Sequence, residues 1–586
     1  MNFGHDRVKN DKGNRWRRAC LICGAIMLPT AGALAQDAGS LLREQLRQQE
    51  LQRLERLPEP DQTRPAAPRI VGPEQGETII VRRLLFTGKM ELLPEAERMR
   101  LAEGVKGKRL GIAGIKAIAD EVTIAIQKRG RMLGYAVLPP QDITEGVVTI
   151  RILEGTLEKT EFERKDGVRV RAALLDRIAG DSIRPDGVDK RDLEEALLRM
   201  NDLPGVTAKA KLAPGTAPRT SRLIVDVAQE PIFSAGVWGD NYGSASTGQA
   251  QGNALVTLTD LTGHGDLTQL NGTFSEGQTF GRATFSVPLG ASPVTLNANY
   301  GYLRYHDIDD LGSTLGLEGY ARYAGTGLDY GLIRSRNLSV RLSGSLNWKA
   351  LVDESTVGRL HDKRSFSGTL GVSGDMRDDL MGGGLTTLSL GWTWGDLDLS
   401  RVESALAVDE ASLRTQGQFH RLNAQVARLQ KLSGDVSLFG RLYGQWASKN
   451  LDSSEEFALG GPYGVRGYPV GEGQGDMGLL ATIELRYDVP APPEIGNLQL
   501  AAFLDAGRIW VNKNPDGIAA VNACGCNAYG LAGAGLSARW TRKNLSFSAS
   551  YAHALGNNPG RSLVTGKNAD GADNDHQFWL QGAIRF

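Results

Sequence analysis

From Pro231 to the terminal Phe586 the sequence keeps a period of two, and this alternation limits the possible folds more than any other feature. Leu388, Leu390, Trp392 and Trp394 alternate with Thr387, Ser389, Gly391 and Thr393. Leu296, Ala298, Tyr300 and Tyr302 alternate mostly with Asn and Gly, and Leu545, Phe547, Ala549 and Tyr551 alternate with serines. The chain closes with Phe578, Leu580, Gly582, Ile584 and Phe586 set against Trp579, Gln581, Ala583 and Arg585. Apolar residues alternating with small polar ones, over segments of about ten residues, describe strands with hydrocarbon on one face and water on the other. A soluble β-sandwich also alternates, but the terminal aromatic and the aromatic enrichment of this region favour a membrane barrel. At about 20–25 residues per strand and loop, the region accommodates roughly 16 strands.

The rest of the chain belongs to a different environment. Of 14 tyrosines only Tyr135 precedes residue 231, and of nine tryptophans only Trp16 does. With 67 basic and 67 acidic residues, net charge gives no argument for nucleic acid. Residues 1–35 read as a secretory signal: Arg15, Arg17 and Arg18 precede an uncharged run ending Ala33-Leu34-Ala35. Apart from that run no stretch is apolar enough for a membrane helix, so a span must be made of strands closed into a barrel. Residues 36–57 read as a charged helix started by Ser40 and stopped by Pro58, too polar for lipid. A proline-rich linker, 58–76, follows.

Residues 77–155 carry a strand over Ile79 to Phe86, helices over about 94–105 and 112–130, and strands over 135–138 and 147–153. Ile115, Ile118, Ala119, Val122 and Ile126 make the apolar face of the second helix. The order β-α-α-β-β returns in residues 156–230, with a strand over 157–163, helices over 169–179 and 188–201, and strands over 207–212 and 222–227. One layout in two copies implies two small helix-on-sheet modules in series.

Within the barrel region, Leu498, Leu500, Ala502, Leu504 and Ala506 form one face of a strand, which puts Asp505 on the other with Phe503. A carboxylate against lipid is costly, so this face is luminal. The preceding strand sets Glu484 and Arg486 on its polar face in the same way. Cys524-Gly525-Cys526 falls in a surface loop as a structural bridge or a feature without a role. The seven histidines are scattered without metal-ligand spacing. No phosphate-binding or nucleophile-elbow motif is present. Neither a cofactor nor a metal is expected.

The two modules resemble POTRA (polypeptide-transport-associated) domains. Gly134-Tyr135-Ala136, Ile152-Leu153-Glu154-Gly155, Leu203-Pro204-Gly205-Val206, Asp240-Asn241-Tyr242-Gly243 and Gly263-His264-Gly265-Asp266 are similar to segments of two-partner secretion transporters, within the BamA-like superfamily. Val465-Arg466-Gly467-Tyr468 looks like the superfamily's long loop that folds back into the lumen. Phe503-x-Asp505-x-Gly507 looks like its strand motif, and the resemblance implies that Arg466 bonds Asp505. It also implies a 16-stranded barrel, POTRA modules in the periplasm, a helix that plugs the pore, and export of a secreted, unfolded partner protein. Such a barrel sits in outer-membrane lipid, inserted by barrel-assembly machinery with Phe586 as the membrane-assembly terminus. An insertase of the same superfamily is the alternative. A barrel enzyme would need a nucleophile–base pair that is not recognisable here, and a solute porin would have no use for the periplasmic arm.

Overall fold

The protein is described from a computed structural model covering residues 36–55, 78–184, 188–520 and 522–586. The expected signal segment, 1–35, and the expected linker, 58–76, lie outside the described residues.

The first module follows from burial of one helix face on a small sheet. Strands β1 (Thr78–Ile80) and β3 (Arg109–Gly111) pair in a small sheet of their own, and β2 (Arg83–Gly88), β4 (Gly134–Val137) and β5 (Val147–Glu154) form a second one, with β2 parallel to β5 and β5 antiparallel to β4. Ile115, Ile118, Val122 and Ile126 of the helix Ile112–Lys128 pack on Val148, Ile150 and Ile152. Each such residue contributes about 1.5–3 kcal/mol on full burial. The second module repeats the scheme. Strands β6 (Thr156–Arg164), β7 (Val206–Pro214) and β8 (Thr220–Gln229) carry helices Ala172–Ser182 and Lys190–Asn201 over a core of Leu175, Ile178, Met200, Val225 and Val227.

Two expectations need correction here. The single strand over Ile79 to Phe86 is broken in two, because Val81 and Arg82 turn to bond Lys108 and Gly146 and so pass the chain between two sheets. Strand β3, which pairs with β1, was not expected, since three residues between two helices carry no readable period.

The modules are seated on one another and on the barrel. Met132 N donates to Val188 O at 3.1 Å and Lys190 N to Gly130 O at 2.6 Å, joining first module to second. Arg171 N donates to Gly263 O at 3.0 Å, and Arg334 grips Asp202 through two 2.7 Å bonds, joining the second module to barrel turns.

Among the described residues sixteen antiparallel strands close on themselves, from Phe233–Asp240 to His576–Arg585, with Ile584 opposite Val237 at the seam. Leu346, Leu370, Leu390, Ile483 and Leu504 stand exposed on the outer wall, the surface that lipid covers. The turns on the side of the two modules are short. Most connections on the opposite side are long, apart from 275–277 and 356–357, and two of them carry helices, Asp310–Leu315 and Glu403–Ala411, that no periodicity announced.

The N-terminal helix, Ala38–Glu55, lies inside the barrel. It begins two residues earlier than Ser40 because Asp37 caps it: Ser40 N donates to Asp37 Oδ1 at 2.9 Å and Asp37 N to Ser40 Oγ at 3.1 Å. Leu41 and Leu42 pack with Phe280, Leu303, Tyr305, Tyr323 and Leu351 of the wall. Gln48 is also buried and donates to Tyr242 O at 3.0 Å, while Arg282 donates to Gln49 Oε1 at 3.0 Å. A helix enclosed by a polar lumen needs polar groups around most of its circumference, which explains its weak apolar stripe.

Candidate functional site in the barrel lumen

The site is built from one long connection and two wall strands. Between strands Val436–Ala447 and Met477–Val489 the chain leaves the wall and returns through a narrow hairpin, with Phe457 opposite Gly475 and Leu459 N donating to Gly473 O at 3.0 Å. Its tip is folded on itself: Val465 N donates to Leu459 O at 2.7 Å and Gly461 N to Tyr468 O at 3.0 Å. Val465 and Tyr468 are buried with Phe457, Leu459, Leu480, Ile509 and Leu531. Gly467 passes so close to the wall that a Cβ there would stand 2.9 Å from Ala554 N.

This apolar anchoring aims Arg466 at strand Asn497–Trp510. On that strand Leu504 is 47% exposed to the outside and Asp505 is fully buried inside. Arg466 Nε lies 2.7 Å from Asp505 Oδ2 and Nη2 lies 2.9 Å from Oδ1, while the Arg466 backbone N donates to Oδ2 at 3.2 Å. Nη1 reaches Glu484 Oε1 at 2.7 Å on the neighbouring strand. The other oxygen of Glu484 accepts from Arg486 at 2.8 and 2.6 Å. Two guanidinium and two carboxylate groups thus balance to zero, the condition under which buried charge is tolerated. A planar fork suits this arrangement, because it engages two carboxylates while its face rests on an aromatic ring. Phe503 supplies that ring, its centroid 3.4 Å from Arg466 Cζ. Gly507 lies directly under Leu459, where a side chain would push the loop off the wall.

Some partners escaped the sequence reading. Trp579 Nε1 donates to Arg466 O at 2.9 Å. The available signal was an indole on the polar face of the last strand, out of phase with Phe578 and Leu580. Tyr242 meets Trp579 and Tyr463 edge to face at 5.9 and 5.8 Å, so the first barrel connection packs against loop and last strand together. Phe586 is far from this site: it pairs through its backbone with Ala235 at the seam, and its side chain is exposed. Cys524 and Cys526 are joined by a disulfide, with Cα atoms 5.2 Å apart. Among the described residues no three His, Cys, Asp or Glu side chains come together in a way that could hold a metal ion.

A closed sixteen-stranded barrel whose lumen holds a helix and an inward loop, joined to two small helix-on-sheet modules, defines a membrane-spanning β-barrel with a plugged lumen. Residues 219–540 match the haemolysin secretion/activation protein family ShlB/FhaC/HecB, and residues 79–155 match the ShlB-type POTRA domain. The chain belongs to the haemolysin secretion/activation protein family. It is 26% identical to the heme/hemopexin transporter protein HuxB of Haemophilus influenzae (strain 86-028NP), over 83% of each chain. It is 24% identical to the outer membrane transporter CdiB of Dickeya dadantii (strain 3937), over 76% of this chain and 79% of that one. The fold is shared with the structure of CdiB from Escherichia coli, with TM-score 0.67 and 21% identity, covering 94% of this chain and all of the other. It is also shared with BamA from Haemophilus ducreyi lacking POTRA domains 1–3, with TM-score 0.52 and 14% identity, covering 87% and 100%. The protein is a two-partner secretion transporter of the outer membrane, its POTRA modules in the periplasm, and it exports a partner protein.

Proposed function

We propose that the two periplasmic modules take the partner exoprotein by strand addition and pass it unfolded into a lumen that is closed at rest. Each module's three-stranded sheet has two edge strands, β2 and β4 in the first and β6 and β7 in the second, and an extended peptide pairs with such an edge through its backbone with little demand on sequence. The observation that carries the reading is the double closure of the lumen, by the helix Ala38–Glu55 on one wall and by the loop held through Arg466 on another. Passage requires both to shift. Energy comes from folding of the partner outside the cell. The apolar outer wall is solvated by outer-membrane lipid, and Phe586 is the terminus that barrel-assembly machinery reads on insertion.

Deleting the gene tests this. One large exported protein is expected to accumulate in the periplasm while other barrels assemble at their usual levels. A general loss of outer-membrane barrels would instead assign the chain to the insertase branch.

A further inference from the structure

One stretch of the lumen wall is built without charge. In the middle of strands Leu338–Ser355, Gly358–Asp378 and Gly384–Asp398, Ser345, Thr369 and Thr393 lie in one cross-strand row. Ser367, Ser373 and Ser389 flank that row on the same face. Their chain neighbours Leu346, Leu370, Leu390 and Trp392 stand exposed on the outer wall, so the hydroxyls point inward. The helix is seated on Phe280, Leu303 and Tyr323 and the loop on Asp505 and Trp579, while on this wall Ser367 and Thr393 are buried and Ser373 is open. Ser389 is left exposed to the lumen between them.

The outer end of the same wall is the opposite in character. Lys349 and Lys363 project from it, Arg421 closes the row from the next strand directly opposite Thr393, and all three grip the loop segment 452–455 or the helix cap. Lys363 Nζ lies 2.8 Å from Asp37 and 2.7 Å from Asp452, Lys349 Nζ lies 2.6 Å from Glu455, and Arg421 Nη1 lies 3.1 Å from Glu455. These bonds hold an acidic strap across the exit of the hydroxyl wall.

We infer that the exported polypeptide travels along the hydroxyl wall in extended form, and that the strap of Asp37, Asp452 and Glu455 on Lys349, Lys363 and Arg421 is the outer gate of that route. A hydroxyl both donates and accepts, so every peptide unit finds the same exchangeable partner on this wall. A fixed charge would instead hold any side chain of opposite sign and stall the chain. The inference rests on the export reading above, but its test uses no exported protein, so the two can fail separately.

The full-length protein is reconstituted in planar bilayers, and the probe is a cationic methanethiosulfonate reagent. Lys363→Met is expected to raise single-channel conductance about threefold or more by freeing the strap. In that background, Thr369→Cys and Ser389→Cys are each expected to lose about half the current on labelling, and Asn271→Cys, whose native side chain bonds the helix at Gln49, about a tenth or less. Should Lys363→Met not fold, Asp452→Asn with Glu455→Gln opens the strap from its other side, with heat-modifiable gel migration reporting the folded barrel. Unchanged conductance in folded strap variants overturns the gate. Equal block at all three cysteines, or no block at Thr369→Cys and Ser389→Cys, overturns the route.

Discussion

Arg466 and Asp505 meet at two points, Nε 2.7 Å from Oδ2 and Nη2 2.9 Å from Oδ1, with the carboxylate fully buried. Truncating either residue leaves the buried four-group cluster with one unbalanced charge, at a cost of about 3–5 kcal/mol. Arg466→Ala and Asp505→Ala are each expected to lower export about tenfold or more, and the double variant to be little worse than either single. Arg466→Lys is expected to restore little, because an ammonium cannot bridge Asp505 and Glu484 while lying on Phe503. Secreted partner protein measured against barrel abundance checks this. Losses that simply add would show that the residues act separately.

Gly467 gives a prediction that separates loop placement from charge. A Cβ there would stand 2.9 Å from Ala554 N, so Gly467→Val is expected to lift the loop from the wall although none of the four ionic side chains is altered. Protease sensitivity of residues 460–475 is expected to rise in a barrel that still migrates as folded. A loop as resistant as the wild type's would contradict the packing described.

Leu42 carries the seat of the helix. It is fully buried among Phe280, Leu303 and Tyr305, and a carboxylate there has no partner. Leu42→Asp is expected to release the helix and raise bilayer conductance about threefold or more, because an unpaired buried charge costs more than the few apolar contacts return. Unchanged conductance would show that the helix does not limit the pore.

The contact between Arg334 and Asp202, by contrast, should matter little despite its two 2.7 Å bonds. Both side chains are partly exposed, and pairs of this kind are worth about 0.2–1 kcal/mol. Asp202→Ala is expected to leave export within about twofold of the wild type. A severe defect would make this junction a functional hinge rather than a resting contact.

Glu158 in the second module gives a pH dependence. Its carboxylate accepts from Thr216 Oγ1 and N, both at 2.7 Å, and from Thr220 Oγ1 at 2.9 Å, and these bonds hold its pKa down to about 2 from an ordinary 4.5. A folded pKa below the unfolded one gives stability that is present in full above pH 4.5 and fades as pH falls toward about 2. Glu158→Gln is therefore expected to loosen the 214–220 turn at pH 6 and to differ little from the wild type near pH 2. Hydrogen exchange of that turn, corrected for intrinsic rate, measures the difference.

How much of this was legible depends on how local the signal is. Alternation places a residue inside or outside a barrel wall directly, so the luminal sides of Asp505, Glu484 and Arg486 could be read from Leu504, Ile483 and Leu485 beside them. The module order was readable for a similar reason, since the helix Ile112–Lys128 repeats its buried face every three or four residues. Contacts made by a loop whose course no period describes were not readable. Nothing near Glu484 says that one carboxylate serves both Arg466 and Arg486, and nothing near Lys363 points to Asp37, 326 residues away. Trp579 lay between these cases: its odd phase was visible, but its partner was not.

The most direct test of the export account is capture of the cargo in transit. A photo-crosslinking side chain placed at Gln425, on the wall facing the free lumen beside Leu51 and Arg441, is introduced into cells that export the partner. The expected result is a covalent adduct between this position and the partner exoprotein, formed only while export proceeds. Partner protein reaching the cell surface at the normal rate with no adduct, or adducts only to unfolded barrel proteins, would contradict passage through this lumen.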